Sequence, residues 1–578
     1  MHFLSLLALA VGVCRTEATL PMMRLEIEPV WEGLPLKVNG MVEGRAGFRL
    51  SRLDYLLSKL ALKKAEGTWV ESRDWFAFFS LEKGQLRAEA DGMPAESFTA
   101  IRFQVGVPPE INQADPVIWP VGHALNPQVC GLHWGWQGGY VFMALEGYAP
   151  KQQAFSFHVA NDPNVALVEL PVSFRGGGPL TIHLTLNAAR LLQGVDFEKD
   201  GTSTHSRAGD PLATKLRSNI EKAFQVVTVS HDLFQPPAEI VQKTPLPAGT
   251  KAYPLAITER FPKVYLPSDN PVTREGVELG EILFHDTRLS VNNTQSCASC
   301  HDQGHAFSDL RRFSLGAEGQ VGKRQAMPLF NLAWASGFFW DGRAKTLREQ
   351  VLMPIQDAHE MNETLKRVAE KIKADADILG LFAKAFGSKE ITTERMAKAL
   401  EQYLLTLISQ DSRFDRAVRK VAELSEQEKR GLQLFVTEHD PKRGLTGADC
   451  FHCHGGTLFT DHQYRDNGLK LTPDELGRMA VTGQTRDRGK FKTPSLRNIA
   501  VTPPYMHDGR FSTLEEVVTH YNGPMEKRDT LDPNLAKHPM AGIQLSVEDQ
   551  QALIAFLKTL TDEAFIQPAK SDQLVKQP

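Results

Sequence analysis

The sequence predicts a multidomain protein in which an N-terminal β-sandwich-like domain precedes two mainly α-helical domains. Its 578 residues exceed the size at which one hydrophobic core stops growing. Short apolar runs separated by Gly, Pro, Asn and Asp dominate the chain as far as about Leu192, and such runs are typical of strands. Beyond about Leu266 the apolar spacing becomes helical and a motif is repeated.

The β-sandwich-like domain is predicted over residues 21–195. Its clearest strand patterns are the apolar runs at 103–105, 140–145 and 180–186. Residues 196–268 are richer in proline and polar residues, including Pro236-Pro237 and 245–249, and we interpret them as a linker.

Two helical domains are predicted over 269–424 and 425–566. Gly280-Glu281-Ile282-Leu283-Phe284 and Gly431-Leu432-Gln433-Leu434-Phe435 form a repeat, which indicates an internal duplication. Ser425 with Glu428 and Ser512 with Glu515 have the spacing of capping boxes, in which a hydroxyl and a carboxylate bond the first backbone amides of a helix.

Composition excludes several classes of protein. The formal net charge of −4 gives no basic surface for nucleic acid, and no internal stretch has the roughly 20 apolar residues of a transmembrane helix. The short apolar run near the start predicts an export signal over residues 1–20, and therefore a periplasmic protein. Simple cleavage is favoured over a lipid anchor at Cys14, because Val13 is large for the residue that precedes a lipidated cysteine.

Four of the six cysteines lie in two CxxCH motifs. Cys297 and Cys300 are followed by His301, and Cys450 and Cys453 by His454. A single CxxC also fits a zinc half-site or a redox disulfide. Two copies, each followed by histidine in a duplicated helical context, favour two covalent c-type haems, since the thiols add to the haem vinyl groups and the imidazole binds the iron.

Seven motifs follow one another between residues 271 and 560: Cys297-Ala298-Ser299-Cys300-His301, Ala306-Phe307-Ser308-Asp309, Phe339-Trp340-Asp341-Gly342-Arg343, Glu360-Met361, Cys450-Phe451-His452-Cys453-His454, Phe491-Lys492-Thr493-Pro494-Ser495-Leu496-Arg497-Asn498 and Pro504-Tyr505-Met506-His507-Asp508-Gly509-Arg510. Through these motifs, residues 271–560 resemble the di-haem cytochrome c peroxidase family, and within it the branch typified by MauG. The resemblance implies that the two helical domains are cytochrome c-like and that the chain is a peroxidase-type oxidoreductase.

The resemblance assigns roles around the first haem. Ordinary bacterial peroxidases have a histidine that occupies the sixth position of this haem, and its counted place here is Ala317, so the iron is expected to stay open to hydrogen peroxide. The peroxide-handling carboxylate and amide match Glu360 and Gln350. Position alone would leave Glu360 as an exposed helix residue. Trp340 matches the tryptophan that relays charge between the haems, although a lone tryptophan is more often a core residue.

The resemblance also implies ligands for the second haem and for a calcium ion. Tyr521 lies at the position where the peroxidases have a methionine ligand to the second haem, and the MauG-like branch has a tyrosine ligand at that position. Tyr521 continues the apolar stripe Leu514, Val517 and Val518, so a plain core tyrosine is the alternative. An oxygen ligand stabilises the ferric and higher states relative to a thioether. The family's calcium carbonyls map to Thr502 and Pro504, whereas its asparagine ligand is Gln325 here.

The N-terminal half contains three characteristic stretches: Tyr55-Leu56-Leu57-Ser58-Lys59-Leu60-Ala61-Leu62, residues 120–127, and Gly131-Leu132-His133-Trp134-Gly135-Trp136-Gln137-Gly138-Gly139-Tyr140. Through these stretches, residues from about 22 to 186 resemble the MbnP family of exported copper-handling proteins. In that family a MauG-like di-haem partner, MbnH, oxidises a tryptophan of MbnP to kynurenine. Both halves of such a pair are fused in this chain.

The resemblance makes Trp134 or Trp136 the candidate substrate, although paired strand tryptophans are more often core residues. Fusion raises the effective concentration of a substrate domain. The imidazoles of His123, His133 and His158 are candidate copper ligands, since imidazole suits that metal. Each of these histidines taken alone reads as an ordinary surface or core residue.

The sequence therefore predicts an enzyme that uses hydrogen peroxide to oxidise a tryptophan of its own N-terminal domain. Two alternatives stay open. One is a cytochrome c peroxidase that reduces peroxide with electrons from a small cytochrome or cupredoxin, which Ala317 and Tyr521 argue against. The other is a periplasmic copper-binding protein whose haems only adjust the redox state of the metal.

Overall fold

The computed structural model describes residues 23–567 with short gaps. The gaps are 39, 41, 43–46, 73, 91–93, 115–118, 120–122, 134–138, 232–245, 259, 262–263, 265, 440–445 and 539–541. The predicted export signal with Cys14, and the predicted substrates Trp134 and Trp136, lie outside the described residues. Within the described part of the chain, no helix is long and apolar enough to cross a bilayer.

The N-terminal half is built mainly of strands, as predicted. The strands are β1 (Met23–Trp31), β2 (Leu34–Pro35), β3 (Arg49–Lys64), β4 (Trp69–Glu71), β5 (Phe76–Ser80), β6 (Arg87–Ala90), β7 (Ser97–Val105), β8 (Val141–Ala149), β9 (Gln153–Ala160), β10 (Ala166–Arg175), β11 (Leu180–Asn187), β12 (Ser203–Thr204) and β13 (Phe224–Ser230). Its helices are α1 (Pro109–Asn112), α2 (Pro127–Cys130), α3 (Ala188–Leu191) and α4 (Pro211–Ala223).

These strands form two sheets that share a large hydrophobic core, and a second, smaller cluster lies in the same half of the chain. The smaller sheet has the order β13-β11-β1-β2, with β6 also paired to β1, and β1 runs parallel to β11. The larger sheet has the order β10-β7-β3-β8-β9-β12, with β4 and β5 also paired to β3. Leu25 and Ile27 of β1 share a buried cluster with Leu57 of β3 and Phe103 of β7. Burial of apolar side chains between the sheets therefore holds the β domain together.

The β domain extends further than the sequence indicated, and the predicted linker over 196–268 is wrong for its first part. Strand β13 pairs with β11, and Leu212, Leu216 and Ile220 of α4 enter the same core. Helix α4 begins at a cap that the sequence contains, because the Asp210 side chain accepts hydrogen bonds from the first backbone amides. The proline-rich tract that follows obscured this pattern.

The C-terminal half is mainly helical, as predicted. Its helices are α5 (Arg274–His285), α6 (Leu347–Gln350), α7 (Met353–Gln356), α8 (Leu365–Lys373), α9 (Ala376–Phe386), α10 (Thr393–Leu405), α11 (Arg413–Val418), α12 (Glu426–Phe435), α13 (Phe451–His454), α14 (Met479–Thr482), α15 (Leu514–Asn522), α16 (Pro533–Ala536), α17 (Val547–Lys558) and α18 (Glu563–Ile566). A two-stranded sheet joins β14 (Tyr464–Arg465) to β15 (Phe491–Lys492).

Two large hydrophobic clusters organise this half, and a small third one contains Phe261, Trp334 and Leu458. The first helical core surrounds α5 and α10, and the second surrounds α12 and α17. The repeated glycines lie at equivalent helix crossings: a Cβ on Gly280 would be 2.0 Å from the Ala399 carbonyl oxygen, and one on Gly431 would be 1.9 Å from that of Ala552. The repeat therefore marks two helix pairs whose backbones touch.

One of the two predicted capping boxes is confirmed, and the other is formed one residue later in the sequence. Ser425 and Glu428 form the predicted box at the start of α12. At α15 the box is formed by Thr513 and Glu516, one residue later than the predicted Ser512 and Glu515. Both spacings exist in the Ser-Thr-Leu-Glu-Glu sequence, so the sequence pattern alone did not select one.

Candidate active site

The first CxxCH motif opens onto a cavity of 520 Å³. Cys300 and His301 line it, together with Gln350, Glu360 and Trp340. The Nδ1 atom of His301 lies 2.7 Å from the carbonyl oxygen of Phe307, so Nδ1 donates and Nε2 keeps its lone pair. Burial lowers the pKa of His301, which favours the neutral, ligating form.

The second CxxCH motif lines a cavity of 210 Å³. Cys450, Cys453 and His454 are on one wall, and Tyr521 of α15 borders the same space. The Nδ1 atom of His454 donates to the carbonyl oxygen of Pro494 at 3.1 Å, and burial lowers the pKa of this imidazole as well. All four motif cysteines are free thiols. Both sites thus supply what a c-type haem requires: two unpaired thiols and a neutral imidazole oriented by the backbone.

Glu360 is the titratable group of the first cavity. It lies in a turn, half-buried, and its pKa is raised to about 7 by burial and by the nearby charge of Asp357, against the attraction of Arg343. The backbone amide of Ala317 donates to the Glu360 carbonyl oxygen at 2.7 Å. The loop that carries Ala317 therefore supports the segment that carries Glu360. A carboxyl with this pKa can both take and return a proton near neutral pH.

Trp340 lies between the two cavities, because it lines both of them. Its indole is buried, and Nε1 donates to the carbonyl oxygen of Gln325 at 2.9 Å. The relay role that the family resemblance implied for Trp340 stays a prediction.

Tyr521 packs with Leu514 and Val518 of α15 against the second helical core, as the apolar stripe predicted. Burial raises the pKa of its hydroxyl. The side-chain amide of Asn467 donates to both the Tyr521 hydroxyl and the Met506 sulfur, each at 3.4 Å. Sequence reasoning missed Asn467 and Met506, since only the fold brings them to this cavity.

Comparison with known proteins identifies this pair of sites. The di-haem cytochrome c peroxidase family model matches residues 274–423. The methylamine utilization protein MauG of Methylophilus methylotrophus is 38% identical over 295 residues, which are 51% of this chain and 84% of that protein. The chain belongs to the di-haem cytochrome c peroxidase family. It is accordingly a peroxidase-type oxidoreductase with two haem c groups, and the family implies hydrogen peroxide as substrate.

Two further comparisons support this family membership. The cytochrome c551 peroxidase of Nitrosomonas europaea is 36% identical over 305 residues, which are 51% of this chain and 82% of that protein. A crystal structure described as a MauG-like protein associated with microbial copper homeostasis matches with a TM-score of 0.50 and 33% identity, covering 55% of this chain and 98% of that chain. The N-terminal half matches a different family model, MbnP, over residues 21–206.

In this di-haem peroxidase the three residues predicted to bind calcium border one cavity. Gln325, Thr502 and Pro504 all line the second cavity. The Nε2 atom of Gln325 donates to the carbonyl oxygen of Asp309 at 3.2 Å. Its Oε1 atom is the part of the side chain with the chemistry of a calcium ligand.

The predicted copper ligands do not come together. The His123 ring stacks on Trp119 at 4.3 Å, and the His133 ring packs edge-on against Tyr140 at 4.6 Å. His158 instead lies with His205 and His452 at the contact between the β domain and the second helical core. Across the described residues, this is the group of three potential metal ligands whose ligand atoms all lie within 4.8 Å of one another. The three histidines predicted as copper ligands therefore do not form one site, and of the three His158 is the member that lies in this cluster.

Proposed function

We propose that this chain uses hydrogen peroxide to oxidise Trp134 or Trp136 of its own N-terminal domain to kynurenine, in a role connected with copper binding in the periplasm. The observation that carries the proposal is that the β domain is docked on the second helical core. The Tyr148 hydroxyl donates to the Leu531 carbonyl oxygen at 2.5 Å. Ser156 of β9 bonds Asn534 of α16 at 3.1 Å. The proposed substrate domain is thus packed against the half of the chain that contains the haem sites.

The residues that directly precede the segment containing Trp134 and Trp136 lie at the contact between the β domain and the second helical core. Cys130 and Gly131, which precede it, line a cavity of 280 Å³ between the β domain and the second helical core. Tyr464 and Arg465 of β14 form part of the opposite wall. Oxidising equivalents that reach Tyr464 would therefore arrive at the edge of the substrate domain.

Tyr464 also borders the loop that follows Trp340. A Cβ on Gly342 would lie 1.9 Å from the Tyr464 hydroxyl oxygen, so the phenol packs directly on this loop. Strand β14 pairs Tyr464 with Lys492, whose backbone amide donates to the Trp340 carbonyl oxygen at 2.7 Å. The contacts form a packed route from Trp340, between the two haem cavities, to Tyr464 at the cavity that borders the β domain.

The haem groups, when bound, accept the oxidising equivalents of peroxide and pass them on one electron at a time. Glu360 takes the proton of the incoming peroxide and returns it to the departing oxygen, and the Gln350 amide orients the molecule. The overall reaction balances when one tryptophan and two peroxides give kynurenine, formate and water. The indole supplies the electrons that reduce peroxide.

The proposal includes a calcium ion held by the side-chain oxygen of Gln325 and the carbonyl oxygens of Thr502 and Pro504. Oxygen ligands of this kind suit calcium, and the site would brace the wall of the second cavity. Elemental analysis of the haem-loaded chain after dialysis should find calcium, and a Gln325→Leu variant should lose it while keeping both haems. Calcium retained at wild-type level in that variant would place the ion elsewhere.

The experiment is peptide mapping by mass spectrometry of the haem-loaded chain with and without hydrogen peroxide. We expect the peptide that contains Trp134 and Trp136 to lose one carbon and gain one oxygen, with release of formate. Replacing the reacting tryptophan by phenylalanine should abolish this change, whereas the matched replacement of the other should leave it. Tyr464→Phe should slow the modification without slowing peroxide binding. An N-terminal half unmodified by peroxide, with rapid peroxide reduction by a cytochrome or cupredoxin, would support the donor-dependent peroxidase instead.

Dilution separates a reaction within one chain from one between chains. A docked substrate domain predicts a rate of tryptophan modification that is independent of protein concentration, because the effective concentration is set within the chain. A rate that falls in proportion to dilution would show that the tryptophan of a second chain is attacked.

Tyr521→Met tests the proposed ligand of the second haem. Exchange of an anionic oxygen for a thioether should raise the reduction potential of that haem by something on the order of 100 mV, because oxygen stabilises the ferric state. The reduction potential is measured by redox titration, with the haem absorbance as the signal. Met506→Leu is the matched control, since Met506 lines the same cavity and contacts the same amide. A potential that shifts in Met506→Leu and not in Tyr521→Met would make Met506 the ligand.

A further inference from the structure

Three buried histidines from distant parts of the chain converge where the β domain meets the second helical core. His158 belongs to β9, His205 follows β12, and His452 lies in α13 between Cys450 and Cys453. The ring centroids are 4.9, 5.4 and 4.8 Å apart, so the imidazoles form a nearly equilateral triangle. One ligand nitrogen from each ring lies within 4.8 Å of the other two. A single ion at the centre is within reach of all three.

Two of the three imidazoles are hydrogen-bonded to a buried carboxylate. Glu146 Oε1 lies 2.8 Å from His158 Nε2, and Glu438 Oε2 lies 2.7 Å from His205 Nδ1. A third carboxylate, Asp449, has its Oδ1 atom 3.5 Å from His452 Nε2, and this nitrogen is buried without a hydrogen bond to any described residue. Carboxylate–histidine pairs of this kind fix the tautomer and ring orientation of metal-bound histidines and make the free nitrogen a better ligand.

The nitrogen of His158 that faces the cluster lacks a protein partner. Nδ1 of His158 is buried without a hydrogen bond to any described residue, which is unfavourable for an isolated polar atom. A bound cation would satisfy this atom.

The charges around the cluster favour a cation. Lys537 is shared between Glu438 and Asp449, at 3.4 and 3.2 Å, and Arg52 pairs with Glu146 at 3.1 Å. Three carboxylates thus face two cationic side chains. A metal ion at the centre would reverse the excess of negative charge in this buried region.

We propose that His158, His205 and His452 bind a copper ion between the β domain and the second helical core. Imidazole ligands suit copper and zinc, and copper(II) binds such sites more tightly than the other divalent ions of the first row. Because the ligands come from both sides of the contact, bound copper fastens the β domain to the core. His452 also places the metal beside the two thiols that hold the second haem.

The first measurement is copper binding by the full haem-loaded chain. The protein is stripped with a chelator, loaded with copper(II), desalted and analysed for copper relative to haem iron, with electron paramagnetic resonance to detect nitrogen ligands. We expect one tightly held copper per chain with coupling to several nitrogens. Zinc retained with no copper would overturn the copper assignment, and neither metal retained would overturn the site.

Two variants remove a ligand but keep its hydrogen bond. In His158→Gln the side-chain amide nitrogen replaces Nε2 and continues to bond Glu146, and in His205→Asn the amide nitrogen replaces Nδ1 and continues to bond Glu438. Each substitution should weaken copper binding by at least about 100-fold, because loss of a residue that is only hydrogen-bonded to a metal ligand already lowers metal affinity by roughly 10–100-fold. Glu146→Gln removes such a residue and should lower copper affinity by roughly 10–100-fold. Unchanged haem absorbance and thermal unfolding would show that the fold is intact.

His123→Gln and His133→Gln are the matched controls, as both histidines are in the same domain but outside the cluster. Copper that is unaffected in these two variants and lost in the cluster variants supports the site. Copper lost only in His123→Gln or His133→Gln would overturn it. The result does not depend on tryptophan oxidation, because copper content and peptide mass are measured separately on the same samples.

Discussion

Replacing Glu360 by glutamine is expected to lower the rate of the reaction with hydrogen peroxide by about 100- to 10,000-fold, the range typical for loss of a proton-transferring group. Glutamine keeps the shape of the side chain but cannot take the peroxide proton. Rapid mixing of the haem-loaded protein with peroxide, followed by the haem absorbance, measures this rate. Glu318→Gln is the control, because Glu318 is exposed beside Ala317 and bonds Asn362 rather than facing the cavity.

The pH dependence gives a second readout of the same group. Burial and the charge of Asp357 raise the pKa of Glu360 to about 7, so the carboxyl is neutral below that pH and ionised above it. Only the ionised form accepts a proton, and the wild-type rate should therefore rise with pH through about 7. Asp357→Asn should move this rise to lower pH, since it removes the neighbouring negative charge. A rise that persists unchanged in Glu360→Gln would assign it to another group.

The residues that attach each haem were predictable because they lie within five consecutive positions of the sequence. The CxxCH spacing alone indicates both the thiols and the imidazole, and the apolar stripe of α15 correctly placed Tyr521 on the face that packs on the second core. Glu360, Gln350 and Trp340 depended on the family resemblance. Their side chains meet around one cavity only after α6, the Glu360 turn and the Trp340 loop are folded together.

The contact between the two halves was not predictable in the same way. His205 lies in the segment interpreted as a linker, and His452 lies inside a motif that is explained by haem attachment. The sequence pattern therefore indicated neither residue as a further metal ligand. Their convergence with His158 depends on how β9 docks against the second core, which no local spacing encodes. The same limit explains α4, whose cap and apolar spacing were present in the sequence but whose partner strands are far away along the chain.

Because of the internal duplication, replacing either repeated glycine by alanine is expected to lower the stability of its own helical core by a similar amount. Gly431→Ala should lower the free energy of unfolding of the second helical core by about 1–3 kcal/mol, the usual cost of overpacking. The added Cβ would lie 1.9 Å from the Ala552 carbonyl oxygen, so α12 and α17 must move apart. Gly280→Ala should have the same effect on α5 and α10 in the first core.

Gly380→Ala provides the control that separates close helix packing from helix propensity. Gly380 lies inside α9, and a Cβ there would meet nothing within 4 Å. This variant should gain about 0.5–1 kcal/mol, because alanine favours the helix and has less freedom to lose on folding. Denaturant unfolding followed by circular dichroism and haem absorbance measures all three. If Gly431→Ala and Gly380→Ala changed stability in the same direction, the repeated glycines would not act through the helix crossings, and the duplication would need another physical basis.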